Sequence, residues 1–380
     1  MRSPTRRQWL IGGGSVAAAV VGIGAWVATR PAPLGMDIAP ERLAQARALL
    51  ARHPAVDAHA HPGRSFVDGA TGLSGLVWLY AKLGSFERRT INDMRTGGLA
   101  AAAFAAVSDF QVLGTQGEGL ASVRAFEPGE AWASYRRQIA RLRGLEQQGL
   151  VHPVRRVADV AAARAAGKVG CLLSVEGGDF LEGRPERVAE AHADGVRSIT
   201  LMHYRHNELG DITTAAPRHG RLTEAGVAVV RAMNAAGILV DVAHASPATA
   251  AAAVKVSDKP VIASHVHIHS PQLTHPRFID AYLARLIAEK GGGVIGAWPA
   301  GIGISDLRGF VDRSFALIDA VGIEHVCLGT DMDANYKPVL DTYTRLPHYV
   351  AALLQRGLGE AEVARLIGGN YLRVLAAVQA

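Results

Sequence analysis

Gly237-Ile-Leu-Val-Asp-Val-Ala-His244 is followed by Ala245-Ser246-Pro247, an alanine-rich stretch to Val256, and then Pro260-Val-Ile-Ala-Ser-His265. The two apolar runs are continuous rather than alternating, which suits strands buried on both faces of a parallel sheet. Between them, Ser246 before Pro247 marks a helix start, so the spacing predicts a helix over 246–256. The whole stretch therefore reads as strand, helix, strand, and each strand ends in a histidine.

Six more runs of the same kind flank this unit: Ala55–His59, Gly98–Val107, Gly170–Glu176, Val196–His203, Gly293–Trp298 and His325–Asp331. Helical segments over Arg124–Gln148, Thr223–Ala236, Phe278–Lys290 and Gly359–Val378 separate most of them. Eight strand–helix units predict one α/β domain over residues 41–380, a (β/α)8 TIM barrel; a doubly wound open sheet is the alternative. The segment Pro62–Arg95 is longer than a crossover helix needs, which predicts extra loops or helices over the C-terminal face of the strands.

Composition sets the outer limits. With 380 residues, 49% hydrophobic, 19% charged and 2 Cys, the chain is neither disordered nor a disulfide-stapled miniprotein. Cys171 and Cys327 lie in apolar runs and read as buried free thiols. The formal charge of +6 is uneven: Arg2, Arg6, Arg7 and Arg30 precede residue 31 with no acidic residue among them, which leaves +2 for the rest. Thr5-Arg6-Arg7, followed by uncharged residues 8–29, resembles a twin-arginine export signal over 1–30, or else an N-terminal anchor that tethers the chain to a membrane. Residues 31–40 read as a linker. The expected location is the periplasm or cell envelope. Arginine pairs at 88–89, 136–137 and 155–156 lack a long basic run or interleaved aromatics, so no nucleic-acid partner is expected.

Position singles out the polar residues. Six of the eight runs end in His59 (with His61 two further on), Glu176, His203, His244, His265 and Asp331. The carboxyl ends of barrel strands converge on one face, so these residues would cluster there, and imidazoles with carboxylates form a donor set for zinc or a similar ion. Singly each signal is weak, because a lone histidine is more often structural. Glu176 stands out, since a carboxylate closing a buried run is costly unless paired or metal-bound.

These residues lie in motifs that resemble those of the membrane (renal) dipeptidases, metallopeptidases of the wider amidohydrolase group. The motifs are Val56-Asp-Ala-His-Ala-His, Val175-Glu-Gly-Gly, Gly195-Val-Arg-Ser-Ile-Thr-Leu-Met-His203, Leu222-Thr-Glu-Ala-Gly, the run Met233 to Ser246, Pro260 to His265, His275-Pro-Arg277, Gly329-Thr-Asp-Met-Asp333 and Gly369-Asn-Tyr-Leu-Arg-Val-Leu375. They cover nearly all of residues 55–377. The resemblance implies two divalent ions per chain, zinc first among candidates, with a bridging hydroxide. His59 and His61 would hold one ion, His244 and His265 the other, and Glu176 would bridge them. It also implies His203 near the scissile carbonyl, Arg277 on the substrate's terminal carboxylate, and Asp331 as acid/base, with Asp333 the nearby alternative. A dipeptide or small amide is the implied substrate, and a homodimer fits the family.

Two departures stand out. The family usually has His-x-Asp where this chain has His59-Ala60-His61, and its usual Arg-Asn is Arg277-Phe278 here. They leave two further readings: hydrolysis of a lactone, β-lactam or other cyclic amide, and a non-catalytic exported barrel that binds metal or peptide.

Overall fold

The computed structural model describes residues 31–116 and 119–380. The export segment expected over 1–30 lies outside the described residues. Among the described residues, no helix is long and apolar enough to cross a membrane.

Eight parallel strands form the centre: β1 (Ala55–Ala60), β2 (Leu99–Val107), β3 (Gly170–Glu176), β4 (Val196–Thr200), β5 (Leu239–Asp241), β6 (Val261–Val266), β7 (Val294–Ala297) and β8 (Val326–Leu328). Each pairs with its neighbours in chain order. The ring closes where β1 pairs with β8, Asp57 opposite Leu328, and β2 runs beside β3 from Ala101–Gly170 to Val107–Glu176. Closure excludes the open sheet and gives a (β/α)8 barrel. Cys171 and Cys327 are buried free thiols in its strands.

The helices follow from local sequence. Ser246 caps Pro247–Val256 by accepting from the Thr249 amide, Thr223 caps Glu224–Ala236 through Gly226, and Asp280 caps Ala281–Glu289 through Leu283. Two expected helices start later, at Glu130 and Ala281, after turns that their sequence had not revealed. The expected Gly359–Val378 helix is broken by a π-helical turn at Arg365–Gly369. Its last part, Asn370–Gln379, carries Tyr371, Val374, Leu375 and Val378 into one apolar cluster with Val56, Ala101, Leu172, Leu239, Ile262 and Val294. Because these strand residues lie at or near strand starts, that helix seals the bottom of the barrel. At the interior, the Ser264 carbonyl packs against Gly296 and Gly329; a Cβ at either would stand 1.7 Å from it.

Residues 31–39 run along the barrel, with Ala32, Leu34, Met36 and Ile38 against the core and the Ala32 amide donating to Asp341. At the opposite, C-terminal face, Pro62–Val67, the helices Gly75–Lys82 and Glu87–Thr96, and an antiparallel hairpin of Leu113–Gln116 and Gly119–Ser122 rise above the strands. Pro62–Val67 and the two helices are what the long Pro62–Arg95 segment predicted; the hairpin comes from outside it.

Candidate metal centre

Strand ends place the site. Glu176 is the last residue of β3 and His265 the penultimate residue of β6; His59 sits in β1 with His61 just beyond it, and His203, His244 and Asp331 each lie three residues past β4, β5 and β8. His244 and Asp331 have left-handed backbones, with φ of 66° and 57°. Neither is glycine, so this conformation carries a steric cost that aims each side chain inward.

All of these groups are buried, and the five histidines meet at Glu176. Its Oε1 lies 3.3 Å from His59 Nε2, 3.0 Å from His244 Nε2 and 3.4 Å from His265 Nε2, while Oε2 lies 3.2 Å from His61 Nε2 and 3.3 Å from His203 Nε2. The ring nitrogens also face one another, 3.2 Å apart for His59–His61 and 2.9 Å for His244–His265. Two donors that share one ion through bonds of about 2.0–2.1 Å stand roughly 3 Å apart, so both pairs fit a common cation. His59 with His61 and Asp331 forms one potential metal cluster, and Glu176 with His244 and His265 another.

Charge points the same way. Burial alone would raise the Glu176 carboxyl, but the neighbouring His203 and His59 charges and the His244 and His265 contacts hold it well below the carboxylate range. Burial opposes the charged form of His61, yet contact with Asp331 (3.4 Å) and Glu176 pushes its pKa up to about 10. Two buried carboxylates thus demand a positive charge between them, the role that a metal ion fills. Burial and the charge of His59 bring His265 down to about 4, and burial with Arg277 brings His244 well down, so both keep the neutral form that ligates metal.

A second tier orients this set. His203 Nδ1 lies 2.6 Å from the buried Asp109 carboxylate, which also accepts the Tyr204 amide. Asp57 accepts from Thr330 and Tyr343 and so joins β1 to the Asp331 turn. Asp241 accepts from Thr200 and Ser264 and so joins β4, β5 and β6; the Ser264 hydroxyl in turn meets His265 Nδ1 at 2.9 Å. Such partners fix ring orientation and tautomer. Sequence reasoning had missed Asp57, Asp109 and Asp241, although Asp57 and Asp241 interrupt apolar strands just as Glu176 does.

Arg277 is buried, stacks on Trp298 with 5.0 Å to the ring centroid, and brings Nη2 within 2.8 Å of His244 Nε2; its Nε and Nη1 have no partner among the described residues. Trp298 donates to Asp331 Oδ2. Asp333, the alternative to Asp331, faces away and accepts from the Gly63 amide and the Thr90 hydroxyl. A cavity of about 320 Å³ opens above the cluster. Its floor is His61, Glu176, His203, His244 and Asp331, and its wall includes Phe66, Val77, Tyr80, Phe110, Leu113 and Leu120.

A family model described as membrane dipeptidase (peptidase family M19) matches residues 43–380. The dipeptidase verJ of Clonostachys rogersoniana is 31% identical over 220 residues, 56% of this chain and 56% of the relative. The chain thus spans little more than half the length of the curated relatives it matches. Among solved structures, the probable dipeptidase PvdM from Pseudomonas aeruginosa superposes with a TM-score of 0.73 at 18% identity, covering 90% of this chain and 99% of its own. A metallopeptidase from Rhodobacter sphaeroides, liganded with a phosphinate mimic of the dipeptide L-Ala-D-Ala, gives 0.68 at 22% identity, covering 86% and 99%. At such identities these likenesses speak for the fold. With the family model matching almost the whole barrel, strand ends and histidine cluster included, the chain belongs to the membrane dipeptidase family.

Proposed function

We propose that this protein is a metal-dependent hydrolase that cleaves the amide bond of dipeptides or close dipeptide analogues. The observation that carries this reading is the convergence of five imidazole nitrogens within 3.4 Å of the Glu176 carboxylate, at the floor of an open cavity. His59 and His61 would hold one divalent ion, His244 and His265 a second, with Glu176 between them and zinc the proposed metal. When bound, such a pair lowers the pKa of water toward neutrality and polarises a carbonyl.

The remaining steps belong to side chains. Asp331 opposes the cost of burial through its contact with His61, so its pKa lies below the ordinary value and it is ionised at neutral pH. It accepts the proton released as water attacks and passes it to the leaving amine. The Trp298 N–H steadies its other oxygen. His203 resists burial through the negative charges of Asp109 and Glu176, which raise its pKa; it therefore keeps a proton to donate to the carbonyl oxygen as charge develops there. Arg277 offers its unpartnered N–H groups to the substrate's terminal carboxylate. The first thirty residues, in this reading, direct export toward the periplasm or cell envelope.

The test is direct. Protein loaded with zinc, cobalt or manganese should cleave members of an L,L and L,D dipeptide panel, and Asp331→Asn should lose at least ~10²-fold in turnover. Metal-loaded protein that cleaves none of the panel would overturn the reading.

A further inference from the structure

The two sides of the Glu176 carboxylate are chemically unlike. On the Oε1 side stand His244 and, against it, the buried cation Arg277, two of whose N–H-bearing nitrogens have no partner among the described residues. On the Oε2 side stand His203, paired with Asp109, and His61, whose ring meets Phe66 edge-on at 5.3 Å. From there the cavity wall is largely aromatic and aliphatic: Phe66 packs on Phe110 and stacks with Tyr80, and Val77 and Leu113 join the same cluster. Beyond the floor, the polar side-chain groups among the described lining residues are the hydroxyls of Thr115, Tyr80 and Tyr204. The rim is apolar too. Leu76 is 65% exposed and Leu120 41%, although both face the cavity.

Resting on the reading of the site as an amide hydrolase, we propose that the acyl half of the substrate is a bulky apolar group that lies against this wall, while its carboxylate end lies at Arg277. A small acyl group such as glycyl would leave the wall wet. An aromatic or branched one would cover Phe110, Val77 and the rim leucines, and removal of that apolar surface from water is what stabilises binding. Two substrate types carry this chemistry: a dipeptide with a free amine and a large N-terminal side chain, or an amino acid capped by an apolar carboxylic acid. The carboxylates that line the cavity, Glu176 and Asp331, lie at its floor.

The experiment compares Gly-Ala, Leu-Ala, Phe-Ala and N-(3-phenylpropionyl)-alanine as substrates of the metal-loaded protein. In parallel, calorimetry follows binding of 3-phenylpropionate, which needs no turnover. A gain in kcat/KM of at least ~10²-fold from Gly-Ala to the favoured phenyl-bearing substrate is expected, because each apolar group seated in such a pocket is worth roughly 10-fold or more. Leu76→Asp, an exposed position, should cut that gain about 10-fold and weaken 3-phenylpropionate similarly. The two phenyl substrates then report which type the pocket takes. Equal rates for Gly-Ala and the phenyl substrates, with no 3-phenylpropionate binding, would overturn the inference and leave the hydrolase reading intact. Saturable 3-phenylpropionate binding that Leu76→Asp weakens, with no substrate cleaved, would do the reverse.

Discussion

His203 Nδ1 lies 2.6 Å from the Oδ1 of Asp109, a carboxylate with no exposed surface, and the two residues come from the segments after β4 and β2, strands that flank β3, 94 positions apart. The other Asp109 oxygen holds the Tyr204 amide, so one buried side chain sets both the ring of His203 and the backbone that follows it. Asp109→Asn keeps the shape but removes the charge that favours a protonated ring. We expect turnover to fall by about 10-fold or more, with KM little changed and the thermal midpoint within a few degrees of the parent. Steady-state kinetics beside a melting curve checks it, and unaltered turnover would remove His203 from the mechanism as drawn.

Arg277 presents a planar fork whose Nε and Nη1 have no partner among the described residues, beside His244 and over the Trp298 ring. Lysine retains the charge but not the fork or the stacking. Arg277→Lys should therefore raise KM for a cleaved dipeptide by roughly 10-fold while the corresponding dipeptide amide, which lacks the carboxylate, changes little. Kinetics with the matched pair decides between carboxylate binding and a purely structural arginine.

Glu176 meets five imidazole nitrogens, and His244 and His265 stand 2.9 Å apart with no hydrogen to share if both ring nitrogens carry lone pairs. A bound cation relieves that repulsion, so chelation should lower the melting temperature and metal should restore it. At a metal concentration about 100-fold above Kd the linkage is worth ~2.7 kcal/mol. Glu176→Gln should bind less than one ion per chain by elemental analysis and show little of this metal-dependent shift.

Asp211 anchors the loop beyond β4 to the His244 turn. Its carboxylate accepts the amides of Arg218, His219 and Gly220 and lies 2.9 Å from His206 Nδ1, while its own carbonyl accepts the Ser246 amide. Burial works to raise its pKa, but those amides and His206 hold it below the ordinary value of 3.8. A depressed folded pKa means stability that is fully present above pH ~4 and is lost as pH falls through the folded value. Asp211→Asn should cost about 1–3 kcal/mol at neutral pH and progressively less below pH 4. Denaturant unfolding across that range checks the sign as well as the size.

The strands and their end residues were legible because they obey short-range rules. Val261–Val266 opens on the apolar run Val-Ile-Ala, and Ser246 does cap the helix before it. Glu176 was legible because an ionisable group closing such a run has few uses. Asp109 was not: Ser108-Asp109 after a strand reads as an ordinary turn, and only the folded barrel brings it to His203. The same holds for Asp333, two residues from Asp331 in sequence. The backbone between them turns one carboxylate toward His61 and the other toward Thr90.

The left-handed backbones at His244 and Asp331 bear on how this protein could be altered. Glycine or asparagine would relax either position, so variants selected for stability alone should drift toward those residues there, while variants selected for turnover should not. The two positions thus separate selection for a durable barrel from selection for its chemistry.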